Sequence, residues 1–263
     1  MKNNNSFVAF DNRKFGLLKK EENHKSYPLN YYNIINGQGF NKKPNSSVYA
    51  FVYDGNAYLE LSGKRVKSTI LRGSYFSTSE DFVLSGDFKA IAIEVYHLKG
   101  KYPNTKYRAV NHIGAIEKEG RLKYIDGCTD SLLIPPVKLG DPCFNHLHFP
   151  KGIDQTPHTH PSHRIGIVAK GNGLCKTPFG NIELKEGMIF IIKEWDGETF
   201  SEGLDGNTYP NGTHSFQTFE EGMDVIAFHP DSDFGATDVD HPMINRTIVD
   251  GVSASKLENI RTK

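Results

Sequence analysis

Apolar and polar positions alternate over short stretches in the first half of the chain. Between residues 47 and 98, short apolar runs are separated by Gly- and Asp-containing turns, and the predicted strands are 48–53, 57–61, 66–71, 75–76, 82–84 and 88–96. Asp54-Gly55 predicts a tight turn that reverses the chain between the first two strands. Several short strands at this spacing are typical of an antiparallel sandwich or barrel.

The same alternation returns between residues 126 and 230. The predicted strands are 132–137, 144–149, 165–169, 173–176, 182–184, 188–193, 214–219 and 223–228. The two halves repeat each other weakly, since 51–55 echoes 167–171 and 86–92 echoes 222–227. An internal repeat of this kind predicts two related β domains in one chain.

The rest of the chain is assigned around these two halves. Residues 1–45 are polar, and we expect an arm of one or two strands that packs on the first domain or on a neighbouring subunit. The first domain and a connector fill 46–125, the second domain fills 126–230, and 231–263 form a tail. Asp and His recur in this tail from His229 onwards, and we interpret it as a loop folded over the domain wall or a dimer partner.

The composition argues against several classes of function and location. Lys and Arg balance Asp and Glu at 31 each, which argues against nucleic-acid or anionic-membrane partners. No apolar run approaches the ~20 residues that span a bilayer, and the first residues lack the apolar core of a signal peptide. The three cysteines form no Cys-x-x-Cys pair, so a reducing, cytoplasmic location is expected.

Candidate chemistry is concentrated after Gly152, in the segment His158-Thr159-His160. Residues two apart on an extended strand point to the same side, so both imidazoles present themselves to one face. Two imidazoles on one face are the beginning of a metal site.

This segment resembles the first motif of the cupin superfamily, which runs from a Gly through His-x-His and usually a Glu to a second Gly. Gly152, His158, His160 and Gly171 match, whereas Arg164 stands where the family usually has its Glu ligand. The resemblance implies an all-β fold of two cupin (jelly-roll) barrels. The first barrel would be degenerate, because the sequence has no His between His24 and His97.

The second cupin motif is matched more loosely. It would begin at Gly187 and end at His214, and Thr218 stands where the family often has Asn. The family has five residues between this Gly and its Pro, here Pro210, so 193–209 is an insertion, and we expect it to cover the barrel mouth as a lid.

By this resemblance, His158, His160 and His214 form a three-His metal site. Three imidazoles suit Fe(II), which is the preferred assignment, and Zn, Mn, Ni or Cu are alternatives. The other interpretation is that His-x-His is retained in a barrel without metal.

Arg164 has three possible roles. It pairs with a substrate carboxylate or phosphate beside the metal, it replaces the metal in a binding pocket, or it turns outward to solvent. His163 should face the other way, although a one-residue bulge would make it a further ligand.

His148 and His146 share a face of the strand 144–149, which lines the cavity in cupins. His148 is therefore a candidate acid/base or substrate-orienting residue, with a structural role as the alternative for both. Tyr209 and Gln217 are candidate hydrogen-bond donors to substrate.

The function expected from the resemblance is a metal-dependent cupin enzyme that acts on a small polar, anionic molecule by dioxygenase-type chemistry at Fe(II). One alternative is a metal-dependent isomerase or lyase acting on a sugar or sugar acid. Another is a cupin that binds a small molecule without catalysis. A homodimer is the expected assembly, because cupins commonly pair.

Overall fold

The computed structural model describes residues 3–65, 67–96, 111–136, 140–231 and 247–257. These residues are almost entirely β, apart from short 3-10 turns at Ile125–Gly127 and Ala254–Lys256. Neither turn could span a lipid bilayer. Residues 97–110 of the expected connector and most of the expected tail lie outside the described residues.

An antiparallel sheet, the N-terminal sheet, takes most of its strands from the first half of the chain. Its order is β2-β3-β7-β4-β6-β8, with β5 also paired to β4. The strands are β2 Gly16–Glu21, β3 Leu29–Ile35, β4 Ser47–Leu61, β5 Lys67–Ile70, β6 Ser74–Thr78, β7 Phe82–Val95 and β8 His112–Ala115.

The second large sheet, the C-terminal sheet, has the order β1-β14-β12-β18-β11-β10-β9, with β13 and β17 also paired to β12. Its strands are β1 Phe7–Phe10, β9 Leu122–Lys123, β10 Thr129–Ile134, β11 Cys143–Phe149, β12 Arg164–Lys176, β13 Ile182–Lys185, β14 Ile189–Ile192, β17 Ser215–Gln217 and β18 Met223–His229. Two small hairpins complete the list: β15 Phe200–Glu202 with β16 Thr208–Pro210, and β19 Ile248–Val249 with β20 Val252–Ser253.

Alternation along the strands divides the apolar residues into three clusters. One cluster joins both sheets, for example Tyr49 and Phe51 with Ile165 and Ile226. A second lies on the opposite face of the C-terminal sheet, and the third lies on the opposite face of the N-terminal sheet. Since period-2 alternation gives each strand two faces, each sheet packs against the other with one face and encloses its own apolar cluster with the other.

The predicted turn at Asp54-Gly55 is wrong. β4 continues through it, and the pairing with β7 has a bulge between Val52 and Asp54. Gly55 takes φ +67°, and a Cβ there would lie 2.1 Å from the Asp87 carbonyl oxygen. The strand therefore bends at this glycine instead of reversing, as a bulge allows.

The same combination of a bulge and a glycine with positive φ recurs in the C-terminal sheet at Gly171. The β12–β18 pairing has a bulge between Val168 and Lys170. Gly171 takes φ +74°, and an added Cβ would lie 2.0 Å from the Gly222 carbonyl oxygen. The equivalent bends explain why the echo between 51–55 and 167–171 ends at a glycine in each half.

The N-terminal arm differs from the expectation in two ways. It contains three strands, and its first strand does not pack on the first half: β1 pairs with β14, with Phe7 opposite Ile192. β2 and β3 join the N-terminal sheet. The alternating exposure of β1 explains this, because Phe7 and Ala9 are buried in the apolar cluster enclosed by the C-terminal sheet.

Candidate metal centre

His158, His160 and His214 come together in the structure. Backbone hydrogen bonds of 2.9 and 3.0 Å join His158 and His214 in both directions, which fixes the two side chains next to each other. One ring nitrogen from each of the three residues lies within 4.8 Å of the other two. The predicted grouping of these three side chains therefore has the proximity that one ion requires.

Two of the rings are held in the orientation that a metal ligand needs. Nδ1 of His158 lies 2.8 Å from the Thr156 carbonyl oxygen, and Nδ1 of His214 lies 2.8 Å from the Gly212 carbonyl oxygen. A carbonyl only accepts, so each Nδ1 carries the proton and donates it. The lone pair is then on Nε2, which is the arrangement found for metal-binding histidines.

All three imidazoles are held in the neutral form. Burial, followed by the neighbouring His158, lowers the pKa of His214 to about 3. Burial and the nearby Arg164 lower the pKa of His160 further, and burial also lowers the pKa of His158. Because a metal binds the neutral ring, the site does not need to release a proton before binding near pH 7.

The three rings lie in a cavity of about 250 Å³. This volume is smaller than the ~300–1,000 Å³ typical of pockets for drug-sized ligands. Most of the wall is apolar, and it is formed by Leu122, Leu132, Leu147, Phe149, Phe190, Ile192, Phe216, Val225 and Ala227. The cavity therefore suits a small molecule with an apolar body.

Arg164 lines this cavity and does not turn outward to solvent. It is the first residue of β12, and its Nη1 donates to the Ser162 carbonyl at 3.1 Å and to Ser162 Oγ at 2.5 Å. Its positive charge lowers the pKa of His160 and of His229, in each case after burial. The cavity thus places the Arg164 guanidinium near three neutral nitrogen ligands, and Lys123, Asp130 and Asp231 also line it.

His148 and His146 do not line the cavity, contrary to the prediction for their strand. β11 presents Asn145, Leu147 and Phe149 to the cavity, so the even-numbered residues face the other side. There both rings contact the same carboxylate: Asp224 Oδ1 lies 3.0 Å from His146 Nε2 and 2.7 Å from His148 Nδ1. This position, on the face of β11 that is turned away from the cavity, does not support the predicted catalytic role of His148.

His163 faces away from the three-His cluster, as alternation predicts, and this position does not support the alternative of a further ligand. Its Nδ1 accepts a hydrogen bond of 3.1 Å from the Glu194 backbone N–H. Its Nε2 lies 3.3 Å from Glu21 Oε1. Both ring nitrogens are thus engaged outside the cavity.

Tyr209 and Gln217 are also absent from the cavity wall. The Tyr209 hydroxyl donates to Asp205 Oδ2 at 2.7 Å within an exposed hairpin. Gln217 pairs with Leu174 at the end of β17. Their predicted role as substrate donors is not supported by these positions.

The insertion 193–209 does not line the cavity either. Part of it contacts the cluster on the side away from the cavity, since the backbone N–H of Trp195 donates to the His160 carbonyl at 2.9 Å. The rest forms the β15–β16 hairpin. The expectation of a lid over this cavity is therefore wrong for the described residues.

Several residues that line the cavity were not predicted as site residues from the sequence. Tyr124, Asp130 and Asn145 lie on or beside β9–β11, outside either motif. His229 and Asp231 belong to the stretch interpreted as the start of the tail, yet His229 ends β18 and both line the cavity. The β12–β18 register pairs Ile165 with Phe228, and only this pairing shows that Arg164 and His229 are neighbours.

The fold and the three-His cluster together define a cupin-fold protein with a candidate metal centre. The structure resembles a cupin 2 conserved barrel domain protein from Leptotrichia buccalis, with TM-score 0.53 and 13% identity over 87% of this chain and 90% of that one. It also resembles a putative glyoxylate-induced protein from Pseudomonas aeruginosa, with TM-score 0.58 and 11% identity over 89% and 83%. A salicylate 1,2-dioxygenase from Pseudaminobacter salicylatoxidans gives TM-score 0.51 and 10% identity over 83% and 76%.

These likenesses show the fold, and the prediction of an all-β cupin fold is confirmed. No protein-family model matches the sequence, and no curated protein does. The chemistry must therefore be argued from the site itself.

Proposed function

We propose that the chain is a metal-dependent cupin enzyme with two barrels, whose substrate is a small anion with an apolar body. The observation that carries this proposal is the presence of three neutral imidazoles and Arg164 in one small, mostly apolar cavity. The equivalent bends at Gly55 and Gly171 support the two-barrel organisation. The homodimer and the cytoplasmic location remain predictions.

The residues present fit a divalent metal. The hydrogen bonds to Thr156 and Gly212 leave Nε2 of His158 and His214 as donors, and His160 adds a third nitrogen. Three nitrogen ligands leave coordination positions open for Fe(II) as for Zn. Fe(II) is the ion we assign first, because one protein of the same fold is a salicylate 1,2-dioxygenase. When bound, Fe(II) would supply O2 activation, and both oxygen atoms would be added to the substrate without an external reductant.

The chain's own residues bind and orient the substrate. The Arg164 guanidinium pairs with the anionic group, and Ser162 holds the guanidinium in place through Nη1. Phe190, Phe216 and Leu147 exclude water around the apolar body. Charge pairing in a dry cavity is stronger than in water, so these two features reinforce each other.

Oxygen uptake after anaerobic Fe(II) loading tests this proposal, with a panel of small aliphatic and aromatic carboxylates. Wild type should consume O2 with some panel members, and Arg164→Met should raise KM about tenfold or more, as the loss of a charge-assisted contact requires. Arg164→Lys should recover part of this loss. Arg121→Met removes an exposed guanidinium paired with Glu117 and should leave KM unchanged. Background uptake over the whole panel would contradict the dioxygenase assignment.

A second candidate function is isomerisation or lyase chemistry at the same metal. Tyr124, His229 and Asp231 line the cavity, so groups that carry protons stand beside the metal cluster. Turnover of a sugar acid without O2 would support this candidate. Binding with no chemical change under either condition would instead favour a non-catalytic cupin.

A further inference from the structure

A second cavity lies on the other side of the wall that carries Arg164. Its volume is about 560 Å³, and it lies against β1, β2, β14 and the start of the insertion. His163 lines it, whereas the next residue, Arg164, lines the metal cavity. Nothing in the proposed reaction uses this second cavity.

The floor of the second cavity is apolar. Val8 and Phe10 on β1 lie beside Ile191 on β14, because Val8 pairs directly with Ile191. Leu18 on β2 completes the floor. Val8, Phe10 and Leu18 are only partly buried, although they pack against the apolar cluster that joins the two sheets. An apolar surface of this kind gains free energy when an apolar group covers it.

Two cations, Lys19 and Lys193, and two carboxylates, Glu194 and Asp196, line the cavity around this floor. Asp196 is satisfied within its own loop, where its Oδ1 accepts the N–H groups of Glu198 at 2.9 Å and Thr199 at 2.7 Å. Glu194 Oε1 lies 3.4 Å from His24 Nε2. Lys19 pairs with Glu21 at 3.3 Å.

Lys193 differs from these groups. Its side chain is half-buried and lines the cavity, and among the described residues no carboxylate lies within ion-pair distance of its ammonium. Burial, together with the charge of Lys19, lowers the pKa of Lys193, which is the response of an ammonium without a counter-ion. Among the described residues, Lys193 is therefore a cation of this cavity whose ammonium has no carboxylate partner.

We propose that the second cavity is a binding site for an amphipathic carboxylate, whose head pairs with Lys193 and whose aliphatic or aromatic body covers Val8, Phe10, Leu18 and Ile191. Amide side chains of Asn5 and Asn211 stand at the same rim and supply further polar contacts. The volume, about twice that of the metal cavity, admits a longer body than the metal cavity does. This inference does not depend on the proposed reaction.

Isothermal titration calorimetry with octanoate as the probe tests the site. Wild type should bind octanoate, and Lys193→Met should weaken binding about tenfold or more, in line with a charge-assisted contact. Lys151→Met, which removes an exposed lysine elsewhere, should have no effect. Arg164→Met should also leave octanoate binding unchanged, because Arg164 faces the other cavity.

A second variant distinguishes the loss of a ligand contact from misfolding of the variant protein. Leu18→Trp fills the floor from an only partly buried position and should abolish binding while the melting temperature of the variant stays close to that of wild type. Absence of octanoate binding in wild type overturns the proposal. So does equal affinity in wild type and Lys193→Met, and a loss confined to Arg164→Met would place the anion in the metal cavity instead. Oxygen uptake is not measured here, so the proposed reaction succeeds or fails separately.

Discussion

Removal of the His158 imidazole is the most direct test of the metal centre. His158 is only partly buried, and its hydrogen bonds to His214 in the bridge are made by backbone atoms. His158→Ala therefore keeps the local pairing and removes one of three ligands. By contrast His214 is 1% exposed, and its truncation would also open a hole in the core.

The expected magnitude follows from ligand linkage. A metal held at 100 times its Kd stabilises the folded state by about 2.7 kcal/mol. For a protein of this size each kcal/mol raises the melting temperature by roughly 2–4 °C, so the wild type should gain about 5–11 °C. With two ligands left, the same metal concentration should give a gain of less than about 2 °C.

Thermal unfolding with and without metal measures this difference. Chelator-treated wild type, His158→Ala and His148→Ala are compared with Zn(II), Mn(II), Ni(II) and, anaerobically, Fe(II). His148→Ala is the matched control, because it removes an imidazole that contacts Asp224 on the other face of β11. Equal metal-dependent gains in wild type and His158→Ala would refute the assignment, and a gain lost only in His148→Ala would move the site to Asp224.

Other predictions concern stability. Gly171→Ala should cost about 2–4 kcal/mol in urea unfolding, because an added Cβ meets the Gly222 carbonyl oxygen at 2.0 Å in addition to the strain of φ +74°. Gly206→Ala has a similar φ, +80°, with nothing within 4 Å, so it measures the strain alone, and an equal cost for both would refute the steric argument. For metal-free protein, the unfolded chain takes up a proton at His214 below its ordinary pKa of 6.5, whereas the folded chain excludes it down to about 3. Stability should therefore fall as pH falls from about 6.5 towards 3, by up to about 1.4 kcal/mol per pH unit for this group, and His214→Gln should flatten this slope; an unchanged slope would contradict the burial argument.

The sequence was sufficient to predict the all-β fold and the shared face of His158 and His160, because both depend on local spacing. His214 was added to this pair only through the resemblance to the second cupin motif, because it lies far from His160 in the sequence. Period-2 alternation identified most strands, and His158 and His160 share a face through the same rule. It was not sufficient at Asp54-Gly55, since a glycine with positive φ fits either a hairpin turn or a bulge. Only the pairing of β4 with β7 along its whole length distinguishes these two outcomes.

The face of β11 that lines the cavity was the other feature that was predicted incorrectly from the sequence. Which face of β11 meets the cavity depends on its register with β18, in which His146 pairs with Ile226 and His148 with Asp224. A shift of one residue reverses every side chain. His148 was therefore assigned to the wrong face, whereas Leu147 and Phe149 occupy the cavity wall.

The position of β1 has a consequence for the order in which the molecule folds. Phe7 pairs with Ile192, and Asn4 Nδ2 donates to Thr177 Oγ1, 173 residues later in the chain. During synthesis β1 therefore has no partner until the ribosome has made β14, Ile189–Ile192. Contacts of such long sequence separation form slowly. Before β1 has paired with β14, the edge of β14 that β1 later covers is available to strands of other chains. We expect refolding yield to fall steeply with protein concentration, and a peptide of residues 3–12 added in excess to compete for that edge.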